Sequence, residues 1–124
     1  MKNGKKILII DDDRNNILAL NAVLKSKGYE CEAAMCATTG LEKLRESPGF
    51  GLVLMDMMMP DIDGYEAMEA MNSLPSLRKI PIVAVTAQAM QGDKERCLKA
   101  GASGYVSKPI NIEELEKLIL ELMN

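Results

Sequence analysis

The sequence predicts a doubly wound α/β domain built around five parallel strands. Short apolar runs alternate along the chain with segments whose apolar residues recur at helical spacing. A repeated strand–helix order implies right-handed crossovers between parallel strands. Polar residues that follow such strands meet at one edge of the sheet, where ligands of open α/β folds bind.

Four clear apolar runs and one weaker run predict the strands. The clear runs are residues 7–10, 52–55, 82–85 and the shorter 105–106, and the weaker strand is expected around residues 29–34. Because the clear runs are continuously apolar, we expect helices to cover both faces of the sheet.

Five helices are predicted from apolar spacing and from residues typical of helix ends. The first helix carries Ile17, Leu20 and Leu24 on one face. Gly28 follows it as a stop. The other helices are marked by Leu41 and Leu44, by Met68 and Met71 after a capping Asp63, by residues 93–100 before Gly101, and by Ile112, Leu115, Ile119 and Leu122.

Length and composition favour one domain over residues 1–124, without a linker, repeat or effector domain. The net charge of −3 and the aromatic content of 3% argue against direct nucleic-acid binding, which uses basic faces and stacking side chains. No apolar run approaches the ~20 residues that span a bilayer. The first apolar run ends at Ile10, before three aspartates, so a signal peptide is not expected. We expect a cytoplasmic protein without membrane insertion.

The numbers of histidines and cysteines limit the kinds of catalysis and metal binding that are possible. The chain has no histidine, which excludes Ser-His catalysis, Cys-His catalysis and His-ligated metals. Cys31, Cys36 and Cys97 are odd in number and form no C-x-x-C pair. We therefore expect idle thiols in a reducing compartment.

Polar residues follow four of the predicted strands. In chain order they are Asp11, Asp12 and Asp13, then Asp56, Thr86 and Lys108. Each residue alone is well explained as a turn or cap residue, and Asp13 in particular can cap the first helix. Their shared position at the carboxyl ends of the strands predicts a binding site instead.

Electrostatics indicate what this site binds. Two like charges ~4 Å apart repel by ~4 kcal/mol at an effective dielectric of ~20, and Lys108 cannot offset Asp11, Asp12 and Asp56 together. A divalent cation can, and an all-oxygen ligand set favours Mg²⁺. Lys108 then faces an incoming anion, to which Thr86 can donate a hydrogen bond. This combination predicts phosphoryl transfer to an aspartate.

Five motifs resemble, in order and spacing, the response-regulator receiver family of two-component signalling systems. They lie at residues 7–13 (ILIIDDD), 54–60 (LMDMMMP), 63–64 (DG), 85–87 (VTA) and 101–109 (GASGYVSKP). The resemblance covers essentially the whole chain. It implies a flavodoxin-like (βα)5 fold with strand order 2-1-3-4-5.

The resemblance also implies roles for individual residues. Asp56 is the expected phosphoacceptor, and Lys108 is expected to contact the phosphoryl oxygens. Asp12 is expected to bind Mg²⁺ directly, Asp11 through water, and Met58 through its backbone carbonyl.

Further roles concern the switch itself. Thr86 and Tyr105 are the expected switch pair, and Ala87 leaves space for the phosphoryl group. The bond before Pro109 is expected to be cis, as the family aims its lysine this way. Asn16 resembles the residue at this position in receivers of hybrid kinases and phosphorelays.

The implied partners are a sensor histidine kinase or a histidine phosphotransfer protein, which donates from a phosphohistidine. The implied output is a changed surface on helix four, strand five and helix five, read by a downstream protein target or used for weak homodimerisation. Such a domain is enzymatic only towards itself, because it catalyses its own phosphorylation and dephosphorylation.

Other functions fit less well. A pseudo-receiver that only binds partners should lack a key residue, and all are present. Residues 61–64 resemble the D-x-D-G of haloacid-dehalogenase-like phosphatases, but they follow Pro60 and precede Tyr65 instead of Thr. A calcium loop starting at Asp61 would need Glu where Asn72 stands. A flavodoxin-like flavin binder would have to hold its phosphate where the aspartates at 11–13 repel it. The methionines at 57–59 either fill space in the core and the loop or line a surface for a partner.

The resemblance finally predicts a slow loss of the phosphoryl group. In receiver domains, the residues two past the phosphoacceptor and two past the switch threonine flank the path of attacking water, and here these are Met58 and Gln88. Gln88 can orient a water or block one, whereas Met58 offers no good hydrogen bond, and poor positioning of water raises the barrier. We expect slower self-dephosphorylation than in a fast chemotaxis-type receiver.

Met58→Asn should therefore accelerate the decay of the phosphorylated protein, by about tenfold for each ~1.4 kcal/mol removed from the barrier. The measurement is the decay after donor removal at constant Mg²⁺. A variant that decays no faster than the parent contradicts this account of position 58.

Overall fold

The computed structural model describes residues 5–47, 49–57, 64–86 and 92–123, which contain a five-stranded parallel sheet. The sheet order is β2-β1-β3-β4-β5, as predicted. The strands are β1 (Lys6–Ile10), β2 (Glu30–Ala34), β3 (Phe50–Asp56), β4 (Ile82–Thr86) and β5 (Gly104–Ser107). A helix follows each strand: α1 (Arg14–Ser26), α2 (Ala37–Glu46), α3 (Gly64–Ser73), α4 (Asp93–Lys99) and α5 (Ile112–Met123).

The sheet has a hydrophobic core on each face. Leu8 and Ile10 of β1 belong to the core under α2, α3 and α4, whereas Ile7 and Ile9 belong to the core under α1 and α5. Every residue of β3 is buried. Burying an aliphatic side chain contributes about 1.5–3 kcal/mol, so the two cores hold β1 and β3 firmly side by side.

The helix ends follow the predicted signals. α1 stops before Gly28, which has a φ of 95°, and α4 stops before Gly101, which has a φ of 119°. Glycine adopts this left-handed region without the penalty that a Cβ brings. At the start of α1, the Asp13 carboxylate accepts hydrogen bonds from the backbone N–H groups of Asn15 and Asn16, at 2.9 and 3.3 Å. The capping interpretation of Asp13 is therefore confirmed.

The register between β1 and β3 brings Asp11 and Asp56 next to each other. Ile10 of β1 is paired with Met55 of β3, so Asp11 and Asp56 come next on neighbouring strands. The backbone N–H of Asp11 continues the ladder by donating to the Ala34 carbonyl at 3.1 Å. Asp11 is thus bonded to the end of β2 and lies beside Asp56 at the end of β3.

The same register carries the other polar groups to this edge. Asp56 is paired with Val85, and Thr86 is paired with Ser107. The backbone N–H of Lys108 then donates to the Thr86 carbonyl at 2.8 Å. The end of β5 therefore delivers Lys108 beside β4.

A close contact joins the start of α3 to the residue that follows β3. The Gly64 N–H donates to the Met57 carbonyl at 3.3 Å. A Cβ on Gly64 would lie 2.8 Å from the Cα of Met57, so a larger residue would push α3 away. Met57 itself is buried in the core, which fits the packing interpretation for this methionine. The contact holds the start of α3 against Met57, the residue that follows Asp56.

The outer strand β2 carries charge at its edge of the sheet. Glu30 is exposed, and the Glu32 carboxylate pairs with Lys6 Nζ at 2.5 Å and with Lys43 Nζ at 3.5 Å. The hydrogen bond from Lys6 lowers the pKa of the Glu32 carboxyl. Glu30 and Glu32 thus lie on β2, which has β1 as its only neighbour in the described sheet.

Candidate functional site

Three carboxylates meet at the carboxyl edge of the sheet. Asp11, Asp12 and Asp56 each offer an oxygen, and these oxygens lie within 4.8 Å of one another. Asp11 and Asp56 are buried, whereas Asp12 is exposed. The cluster therefore combines two anions held inside the protein with one that solvent and ions can reach.

Both oxygens of Asp11 are held. The Asp13 backbone N–H donates to Oδ1 at 2.8 Å, and Asn16 Nδ2 donates to Oδ2 at 2.5 Å. Lys108 Nζ lies 3.4 Å from the same Oδ2. Donors to both oxygens restrict the rotation of a carboxylate, so Asp11 is held in a fixed orientation.

Lys108 is shared between two carboxylates. Its Nζ lies 3.4 Å from Asp11 Oδ2 and 3.6 Å from Asp56 Oδ2, and a quarter of its side chain is exposed. Tight hydrogen bonds between ammonium and carboxylate groups are about 2.7–2.9 Å long. The amine is therefore near both acids without being closely bound to either. The Lys108–Pro109 peptide bond is cis, as predicted.

Thr86 and Tyr105 occupy neighbouring strands on the same side of the sheet. Thr86 is buried at the end of β4, and Tyr105 is half-buried against the core under α2, α3 and α4. Tyr105 is paired with Ala84, two residues before Thr86. Since side chains alternate along a strand, Ala84, Thr86 and Tyr105 share one face.

Several predicted positions lie outside the described residues. They are Met58, with its proposed carbonyl ligand, Ala87, Gln88 and the capping Asp63. Pro109 is described and is exposed beside Lys108. Asp11, Asp12, Asp56, Lys108 and Thr86 lie within the described residues.

Contacts between α3 and α4 were not predicted from the sequence. The Arg96 guanidinium lies over the Tyr65 ring, 4.1 Å from its centre, and the Tyr65 hydroxyl lies 3.6 Å from the Cys97 sulfur. Asn72 Nδ2 donates to the Ala100 carbonyl at 3.3 Å. The helix that follows the Asp56 loop is therefore linked to the helix that follows Thr86.

The three cysteines are free thiols. Cys97 is buried, and burial together with the nearby Glu30 charge raises the pKa of Cys31 to about 11. A thiol with so high a pKa is a poor nucleophile at neutral pH. Cys31 is therefore poorly suited to nucleophilic catalysis.

The fold and this acidic site define a class of signalling domain. Residues 7–120 match the model of the response regulator receiver domain, and the chain belongs to this family. The family resemblance is therefore confirmed, and the chain is a receiver domain of two-component signalling. No described helix has both the length and the apolar character that crossing a membrane requires.

Relatives occur both within long kinases and as short proteins. The chain is 40% identical over 114 residues to the signal transduction histidine-protein kinase BarA of Shigella flexneri, which covers 92% of the chain but only 12% of BarA. It is 34% identical over 108 residues to the polar-differentiation response regulator DivK of Brucella ovis, which covers 87% of each. The chain thus spans a small part of the first relative and most of the second.

A solved structure gives the same fold at similar identity. The receiver domain of a sensor histidine kinase from Pseudomonas aeruginosa PAO1 is 32% identical, with a TM-score of 0.87 over 97% of this chain and 98% of that one. That structure contains a magnesium ion coordinated in the active-site cleft.

Charge repulsion in the site predicts an effect on stability. Asp56→Asn removes two repulsions, from Asp11 and Asp12, and one attraction, to Lys108. We expect the variant to be more stable by about 1–2 kcal/mol without divalent ions. Urea denaturation in a chelating buffer at low ionic strength measures this difference.

Two comparisons sharpen the stability test. Asp13→Asn makes the same chemical change nearby but retains a good cap, so its stability should change little. Added Mg²⁺ should stabilise the wild-type protein more than Asp56→Asn, since a ligand stabilises the state that binds it. A less stable Asp56→Asn variant would contradict the electrostatic argument.

Proposed function

We propose that the domain is a switch in which Asp56 accepts a phosphoryl group from a phosphohistidine, with Mg²⁺ bound. The proposal rests on the groups that lie around the Asp56 carboxylate. Its carboxylate is buried at the end of the central strand, clustered with Asp11 and Asp12, and 3.6 Å from Lys108 Nζ. A nucleophile, a metal-binding acidic pair and a mobile cation are the parts that phosphoryl transfer to a carboxylate needs.

The ligand set suits Mg²⁺. The described cluster consists of carboxylates alone, and Mg²⁺ prefers such hard oxygen ligands while keeping several waters. Exposed Asp12 is the proposed direct protein ligand with Asp56, whereas Asp11 would act through water, because its oxygens already accept hydrogen bonds. Bound there, the ion would neutralise negative charge on the phosphoryl oxygens. The Met58 carbonyl is proposed as a further ligand.

The chain's own groups would do the rest of the chemistry. An oxygen of Asp56 attacks phosphorus, the P–N bond to the donor's imidazole breaks, and its electron pair remains on the imidazole nitrogen. Lys108, loosely placed between two acids, shifts to the phosphoryl oxygens and stabilises their charge. The Thr86 hydroxyl donates a hydrogen bond to an oxygen of the same phosphoryl group.

The proposed output is a change on the surface formed by α4, β5 and α5. Thr86 is joined to β5 through the Lys108 N–H, and Tyr105 shares its side of the sheet. Leu98 on α4 and Leu120 on α5 are exposed apolar residues. A movement of Thr86 towards the phosphoryl group would bias Tyr105 and this surface, which a downstream protein or a second copy could read.

The main alternative is a pseudo-receiver that binds partners without being phosphorylated. It requires the same fold but no transfer chemistry. Labelling by a small phosphodonor therefore distinguishes the two functions directly.

With acetyl phosphate and Mg²⁺, the wild-type protein should gain one phosphoryl group and Asp56→Asn should gain none, as read by intact mass. Asp13→Asn should label like the wild type, because it leaves the acidic cluster intact. Full labelling of Asp56→Asn would refute the assigned phosphoacceptor, and an unlabelled wild-type protein would favour the pseudo-receiver.

Asp12→Ala should weaken Mg²⁺ binding at least tenfold, since it removes the exposed carboxylate of the cluster. Each factor of ten corresponds to about 1.4 kcal/mol. Isothermal titration of the unphosphorylated protein measures the affinity, and thermal melting shows whether the variant is folded. Unchanged affinity in a folded variant contradicts the metal assignment.

A further inference from the structure

Asn16 reaches from the first turn of α1 into the acidic site. Its backbone N–H is fixed by the Asp13 cap at 3.3 Å, and its half-buried side chain donates from Nδ2 to Asp11 Oδ2 at 2.5 Å. The start of the helix thus sets the position of the amide. Asn16 contacts the carboxylate without being part of the acidic cluster.

Two donors of different charge meet at the same oxygen of Asp11. Asn16 Nδ2 lies at 2.5 Å, whereas Lys108 Nζ lies at 3.4 Å. The amide donates a hydrogen bond but adds no positive charge. Oδ2 of Asp11 is therefore oriented by a neutral donor, and its position does not depend on Lys108 alone.

This division matters when Lys108 moves. Without Asn16, Oδ1 of Asp11 would still accept from the Asp13 N–H, but Lys108 would be the remaining described donor to Oδ2. Oδ2 would then either turn away when the amine leaves or draw the amine into a tight ion pair. Either outcome harms the site, because the first misplaces Asp11 and the second keeps Lys108 away from Asp56. The hydrogen bond from Asn16 prevents both.

We propose that Asn16 is a positioning residue, which holds Asp11 for Mg²⁺ and leaves Lys108 available to the phosphoryl group on Asp56. The inference rests on the proposed function for its role in transfer. Its structural part, the effect of Asn16 on Asp11 and Lys108, does not depend on phosphorylation.

The first test is Mg²⁺ affinity of the unphosphorylated protein. Asn16→Leu keeps a similar side-chain volume but removes the donor, and we expect about tenfold weaker binding, the usual effect of losing a partner that orients a metal ligand. Asn15→Leu makes the same change at an exposed neighbour and should bind normally. Asn16→Gln retains an amide and should recover part of the affinity.

A double-mutant cycle shows whether Asn16 acts through Asp11. In an Asp11→Asn background, Asn16→Leu should cause no further loss of Mg²⁺ affinity, since the carboxylate that it positions is gone. An equal tenfold loss in both backgrounds would mean a general structural role and would overturn the inference. Unchanged affinity of the single variant would overturn it as well.

A metal-free crystal structure of Asn16→Leu separates this inference from the proposed function. Lys108 Nζ should approach Asp11 Oδ2 to below ~3 Å, the length of a direct ion-pair hydrogen bond. An unchanged or longer separation contradicts the inference, whatever the labelling experiment gives. Conversely, a wild-type protein that takes no phosphoryl group would refute the proposed function while leaving this contact and the affinity results standing.

Discussion

Repulsion between carboxylates at the carboxyl edge of the sheet is the constraint that the rest of the structure must overcome. Asp11, Asp12 and Asp56 offer oxygens within 4.8 Å of one another, and each close pair of charges costs up to a few kcal/mol. Two hydrophobic cores, each built from many buried aliphatic side chains, outweigh this cost. Stability generated by the sheet is thus used to hold a site that is unfavourable by itself, as is common where function requires strain.

The two close donors described for Asp11 are uncharged. Asp11 accepts from one backbone amide and one side-chain amide, and Lys108 supplies positive charge from more than 3 Å away. If the acids were neutralised by closely bound cations, a metal ion and a phosphoryl group would have to displace them. Hydrogen-bond donors orient the acids but leave their charge available, which suits a site that must bind a cation and an anion in turn.

The sequence predicts most of the fold and the acidic part of the site, for physical reasons that are local. The short continuous apolar run of β3 favours a strand covered on both faces, and polar residues after parallel strands share an edge. β5 is longer than the predicted residues 105–106, because pairing with β4 extends it over Gly104 and Ser107, whose own strand preference is weak.

What could not be predicted depends on how helices approach the sheet and each other. The hydrogen bond from Asn16 to Asp11 needs the entry angle of α1, which no spacing rule specifies. The stacking of Arg96 on Tyr65 needs the packing of α4 against α3. The charged edge of β2 affects aggregation. An unpaired strand edge can pair with another molecule, and charged side chains on it oppose this pairing. Since the pKa of Glu32 is lowered, its charge persists as the pH falls, so this edge remains protected in acid longer than an ordinary glutamate would allow. An outer strand that does not pair with a second copy of the chain keeps the sheet at five strands.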